Sequence, residues 1–158
     1  CEALERLNHG LELRRQLNNQ CLDALFQLGA ALVEILADER ENAMLIIDGT
    51  LKKSEATGER WLDCELWRLK GDLLLEPSSR DCGADAEGCY RRAIDIAQQQ
   101  GSRMYELRAT TSLAELMSQR GQKVEARSHL APLLDQFTEG FASSDFQSAR
   151  SILGSLEQ

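Results

Sequence analysis

Two histidines, five cysteines and one dense run of acids are the residues of this chain best suited to chemistry, and their spacing assigns each to a structural role. His9 and His129 lie far apart and outside any C-x-x-C, H-E-x-x-H or Ser-His-Asp setting, so neither a zinc site nor a nucleophilic triad is expected. Cys1, Cys21, Cys64, Cys82 and Cys89 are odd in number and contain no C-x-x-C pair, which argues against a closed disulfide framework and for a reducing cytoplasm. Cys21 and Cys64 fall at core positions; Cys82 and Cys89 flank a loop and are expected to be more accessible. The run Asp38-Glu39-Arg40-Glu41 lacks the spacing and the glycine of a calcium loop and reads as a helix cap with a solvated face. A glycine-rich phosphate loop ending in Lys-Ser or Lys-Thr is missing as well. The expectation is a non-enzymatic segment with no metal and no cofactor.

What remains is a scaffold, and its composition narrows the kind. The chain has 158 residues, enough for one domain with a sizeable core. Its 26 acidic and 18 basic residues give a net charge of -8, which repels nucleic-acid backbones and anionic membranes. Two prolines, 5% aromatics and abundant Leu, Ala, Glu and Arg fit an all-α chain. The longest uncharged apolar stretch, residues 24–33, is too short to span a bilayer. The chain opens on Cys1, and residues 2–16 read as the second helix of a hairpin whose first helix lies upstream. A segment of a longer protein is therefore expected in preference to a lipid-modified cysteine.

A repeat organises the rest. Small residues at Ala31, Gly71 and Ala114, and second-helix alanines at Ala43, Ala86 and Ala126, recur at about forty residues. That period predicts a right-handed superhelix of stacked antiparallel helix hairpins, about eight helices in all, in which each hairpin buries its apolar face on the next. One domain is expected over 1–158: a partial leading hairpin at 1–19, repeats at 20–57, 58–100 and 101–138, and a capping helix within 139–158.

Periodicity and turn signals place the helices. The first is expected over 2–17 and the second over 20–37, burying Leu22, Leu25, Phe26, Ala30, Val33 and Leu36. Asp38 and Glu41 form a capping-box pattern for a third helix reaching 55, with Ala43, Ile47, Thr50 and Leu51 inward. A fourth, 59–76, offers Trp61, Leu62, Leu66, Leu69, Leu73 and Leu74 to the core, and the loop 77–83 after it carries three extra residues. Helices over 84–100, 102–120 and on to 136 follow, the last bent by Pro132. Ala86, Tyr90, Ala93, Ile94 and Ala97 face inward from the first of these, and Met104, Leu107, Leu113, Leu116 and Met117 from the second. Ala126, Leu130, Leu133 and Leu134 do so from the third. Ser144 with Gln147 marks a second capping box, opening a final helix over 145–156 that buries Phe146, Ala149, Ile152 and Leu156.

Trp67, Gly71 and Leu74, followed by Ala86, Tyr90 and Ala93, resemble the tetratricopeptide pattern, with Lys70 where leucine is usual and Gln98 where proline is usual. Leu113, Ala114, Met117, Ala126 and Leu130 repeat it, and Ala31, Ala43 and Ile47 repeat it more weakly. The strings ATGERWLDCELWRLKGDLLLE, AEGCYRRAIDIAQQQGSRMYELRATTSLAEL and GQKVEARSHLAPLLDQFTEGF resemble the carboxyl-terminal tetratricopeptide region of large bacterial signalling proteins. In those proteins a class III nucleotide cyclase or a winged-helix regulator domain precedes an ATPase module and the repeats. Where that family has an aspartate after TEGF, Ala142 stands here, which leaves the cap to Ser144.

The resemblance implies a protein-interaction role for a regulatory segment. By analogy with the family's concave face, Glu65, Arg68 and Asp72 would meet a protein or peptide partner with Arg108, Thr111, Glu115 and Ser118. Other domains of the same parent are equally suitable partners, and a homo-oligomer is open. The alternative is small-molecule sensing. Leu25, Leu28 and Leu32 occupy the matching face of the 20–37 helix, covered by the 2–17 helix or meeting upstream repeats or a second copy.

Overall fold

The computed structural model describes residues 5–6, 9–10, 12–13, 23–75 and 82–157. Seven helices and no strand occur among them, so the chain is all-α. They are α1 (Asp23–Leu36), α2 (Arg40–Thr57), α3 (Asp63–Leu74), α4 (Cys82–Gln99), α5 (Arg103–Gln119), α6 (Lys123–Leu134) and α7 (Ser144–Ser155). Of the helix expected over 2–17, positions 5, 6, 9, 10, 12 and 13 are helical; the rest, with Cys1, Cys21 and Leu22, lie outside the described residues. Contacts divide the chain into two compact units, Cys1–Leu66 and Trp67–Gln158, with the boundary inside α3.

In the first unit α1 packs along α2. The turn between them corrects the expected capping box. Asp38 takes a left-handed conformation, φ 62°, and closes α1 instead of opening α2. Its N–H donates to the Ile35 carbonyl at 3.1 Å and that of Glu39 to Glu34 at 2.9 Å, which is the paired bonding of a Schellman motif. Helix α2 then starts at Arg40 with Glu39 as N-cap and no side-chain capping bond.

The buried stripe of α1 is Ala24, Leu28 and Ala31, joined by Ala30, whereas Leu25 and Leu36 are exposed. The expected face is thus rotated. Paired helices approach most closely where side chains are small, so the alanines take the seam and the larger Leu25, Leu32 and Leu36 stand off it. Helix α2 buries Ala43, Ile47, Thr50 and Ser54 at successive turns, and Leu51 only in part. The Thr50 hydroxyl is satisfied by the Ile46 carbonyl at 2.7 Å. Ser54 donates to the Asp63 carboxylate, which also accepts from Arg60 at 3.0 Å, so this buried acid enters α3 already paired. Lys53 does the same for buried Asp23.

Helix α3 begins four residues later than expected, after the turn that follows Gly58 (φ 79°). Trp61 lies in that turn and is 44% exposed, because Leu62 takes the core position there. Cys64 is buried, and burial raises its thiol to about 11, leaving it a protonated, small apolar side chain at neutral pH.

In the second unit α5 packs on α4, α6 and α7, and α6 packs on α7. The same turn device recurs at both ends of α5. Gly101 (φ 65°) donates to Gln98 at 3.1 Å and Ser102 to Ala97 at 2.9 Å; Gly121 (φ 79°) donates to Ser118 and Gln122 to Met117, each at 2.9 Å. Ala86 and Tyr90 from α4, Leu107, Leu113, Ala114 and Met117 from α5, and Ala126, Leu130 and Leu133 from α6 form one core, to which α7 adds Phe146, Ala149 and Leu156. Met104, Ile94 and Ile152 are only half-buried. Cys89, expected near the surface, is buried at 6% exposure because α4 presents it beside Tyr90; the side chain of Cys82 lies outside the description.

Helix α6 ends two residues past Pro132, at Leu134. The N-cap of α7 is Ser143, not Ser144: its hydroxyl accepts from the Phe146 N–H at 3.3 Å, while the Gln147 amide donates to the Phe141 carbonyl. Phe146 is also held edge-on by Phe137 and Phe141, at centroid distances of 5.7 and 5.1 Å. No helix among the described residues is long and apolar enough to cross a membrane.

The repeat residues behave alike. Ala31, Ala43, Ala86, Ala114 and Ala126 are each 0% exposed. At Gly71 an added Cβ would lie 2.5 Å from the Tyr90 ring, so the aromatic of α4 fills the space where a side chain on α3 would stand.

Candidate functional site

Helix α3 brings Arg68 and Asp72 to one face by their four-residue spacing, and the guanidinium donates to the carboxylate at 2.6 Å. The other Asp72 oxygen accepts the Tyr90 hydroxyl at 2.7 Å, which fixes α4 to α3. Burial first, and then the Asp72 and Glu115 carboxylates, push the Tyr90 hydroxyl far above its ordinary range, with Arg68 opposing. Tyr90 is therefore a neutral donor that holds Asp72 in place.

Helix α5 supplies Arg108 and Thr111 on a face that continues through Glu115 and Ser118. Arg108 Nε donates to Asp145 Oδ1 of α7 at 3.1 Å, and the Thr111 hydroxyl donates to the Leu107 carbonyl at 2.7 Å. Arg68, Arg108, Thr111, Asp145 and Ser148 line a groove of about 160 Å³. Three helices thus converge on it.

Four of the seven residues expected at a partner surface therefore come together, since Asp72 anchors the groove through Arg68. Glu115 and Ser118 lie further along α5, beyond the lining. Glu65 differs: it is 5% exposed, because three- and four-residue steps put it on the same face of the helix as buried Leu62 and Leu69. The contribution of α7 was not anticipated. The final helix over 145–156 is expected only to cover the end of the stack, and the sole sequence signal for more is an acid at its start, 37 residues from its arginine.

Chemically, the groove offers two guanidinium groups, each sharing a carboxylate, and hydroxyls at its edges. Such a lining can donate and accept hydrogen bonds and carries charge of both signs. Among the described residues, no three of His, Cys, Asp and Glu gather as a metal site. His9 and His129 are both exposed. No protein-family model matches the chain, and no curated protein matches it.

Proposed function

We propose that this chain is a tetratricopeptide-like, non-enzymatic interaction segment whose groove between α3, α5 and α7 receives a peptide or a protein loop. The observation that carries the reading is the convergence of Arg68, Arg108 and Thr111, three residues selected on repeat geometry, around one groove. A volume of about 160 Å³ fits one or two side chains of a bound chain and is smaller than the usual small-molecule pocket of roughly 300–1,000 Å³. Burial of every repeat alanine supports stacked hairpins continuing into a right-handed superhelix of about eight helices, with 1–158 acting as one repeat domain. The resemblance of the three long strings supports a parent that is a cytoplasmic bacterial signalling ATPase carrying a cyclase or regulator domain. The partner is then another protein or another domain of that parent, and the net charge of -8 disfavours nucleic acid.

The test is a peptide selected from a random library against the chain, titrated against variants. Arg68→Glu is a poor choice, since it would set a second acid beside Asp72. Thr111→Arg crowds the groove without breaking an ion pair and is expected to weaken the peptide by about tenfold or more, with helicity unchanged. Unchanged affinity would discard the groove, and ATP hydrolysis by the purified chain would discard the non-enzymatic reading.

A further inference from the structure

Both guanidinium groups at the α3–α5–α7 groove already have a carboxylate beside them. Arg68 shares Asp72 at 2.6 Å and Arg108 shares Asp145 at 3.1 Å, so two charges of each sign stand there. A partner's carboxylate brought into this space would meet Asp145, and a partner's ammonium would meet both arginines. Either charge would leave water without a counter-ion of its own, a cost that a neutral group does not incur.

The hydrogen-bonding atoms of the lining fit one neutral group in particular. The Thr111 hydroxyl spends its proton on the Leu107 carbonyl at 2.7 Å, so toward the groove its oxygen can only accept. Asp145 gives Oδ1 to Arg108, and its Oδ2 is a second acceptor. Ser148, three residues further along α7, brings a hydroxyl that can donate. Two acceptors and one donor therefore face a bound group, and a primary carboxamide has the converse set, two N–H donors and one carbonyl. A backbone amide has a single N–H and cannot fill both acceptors. We infer that the groove takes the carboxamide of a glutamine or asparagine side chain of the partner, its NH2 donating to Thr111 Oγ1 and Asp145 Oδ2 and its carbonyl accepting from Ser148. The cavity of about 160 Å³ admits one such side chain. An apolar side chain of similar length leaves these polar atoms unpaired, and glutamate adds a charge beside Asp145. Carboxamide recognition presupposes that the groove receives a chain, and it adds which side chain is selected.

The probes are blocked pentapeptides with alanine at every position except the centre, which is Gln, Glu, Lys or Met. Each is titrated against the chain while the backbone amide shifts of Arg108, Thr111 and Ser148 are followed. Saturable shifts are expected with the Gln peptide, at least about fivefold tighter than with the other three. Thr111→Val keeps the side chain's shape but removes the acceptor, and it is expected to erase most of the preference for Gln over Met. Ser148→Ala, at an exposed position of α7, gives the same comparison if α5 is disturbed. Equal affinity for the Glu, Lys or Met peptide, or a preference undiminished in both folded variants, would overturn carboxamide selection. So would the absence of any saturable shift with the Gln peptide, whereas the groove itself falls only if library-selected peptides also bind Thr111→Arg undiminished. Free glutamine matching the Gln peptide would assign the groove to a small amide and overturn a ligand carried on a chain.

Discussion

Gly71 and Tyr90 are the pair on which the α3–α4 contact turns. The glycine is required by space: its backbone is ordinary helix, and the Tyr90 ring occupies the volume a Cβ would enter. The ring cannot withdraw freely, since its hydroxyl is committed to Asp72. Gly71→Leu is expected to lose about 1–3 kcal/mol of stability, measured by urea denaturation. An unchanged midpoint would mean that the ring does not sit against that backbone. The repeat places a small residue at 71, which marks it as a close-approach position in the sequence. What approaches is not legible there, because Tyr90 reads as one of several inward-facing residues and its bond to Asp72 depends on how the two helices pack.

At the scale of elements, short turns and ion pairs set how one helix follows another. Three connections use the same Schellman bonding, two through glycine and one through Asp38. Glycine occupies a left-handed position without steric cost, whereas an L side chain there is strained. Asp38→Gly is expected to raise stability by about 0.5–1 kcal/mol, seen as a higher melting temperature. A decrease would show that the aspartate side chain contributes more than the strain costs.

Glu87 of α4 ties that helix to the turn between α5 and α6, accepting from Arg91 at 2.9 Å and from Arg120 at 2.6 Å. The Arg91 hydrogen bond is the main cause that lowers its carboxyl below the ordinary 4.5, helped by Arg120 and opposed by burial. Because the folded value lies below the unfolded one, the stabilisation is complete above pH 4.5 and is lost as pH falls through the lowered value. For a largely solvated network the amount is about 0.5–1 kcal/mol. Glu87→Gln should flatten the acid limb of stability against pH by that amount; an unaltered limb would show the network contributes nothing.

Helix positions from α1 to α7 were legible because apolar spacing and Gly58, Gly101 and Gly121 mark them. The caps at 38 and 144 depart from expectation for different reasons. Asp tolerates a left-handed backbone as well as an N-cap position, and Asp38 takes the first use at the end of α1. At α7 two adjacent serines offer the same cap, and the extended backbone of Ser143 makes it the one that accepts the Phe146 N–H.

For the whole molecule, the α3–α5–α7 groove is assembled from separate helices, and this sets what sequence could disclose. Arg68, Arg108 and Thr111 share a groove, and the repeat spacing that relates α3 to α5 made their common face legible. Asp145 was not, since α7 stands outside the repeat and its pairing with Arg108 follows from tertiary placement. Glu65 was misplaced by the same analogy, because helical stepping set it among leucines.

The most direct measurement is backbone amide chemical-shift mapping of the chain with a selected peptide ligand. Saturable shifts are expected, centred on Arg68, Arg108, Thr111 and Ser148, converging on a single site and abolished by Thr111→Arg. Shifts confined to other faces, with those four amides unmoved at saturation, would contradict it.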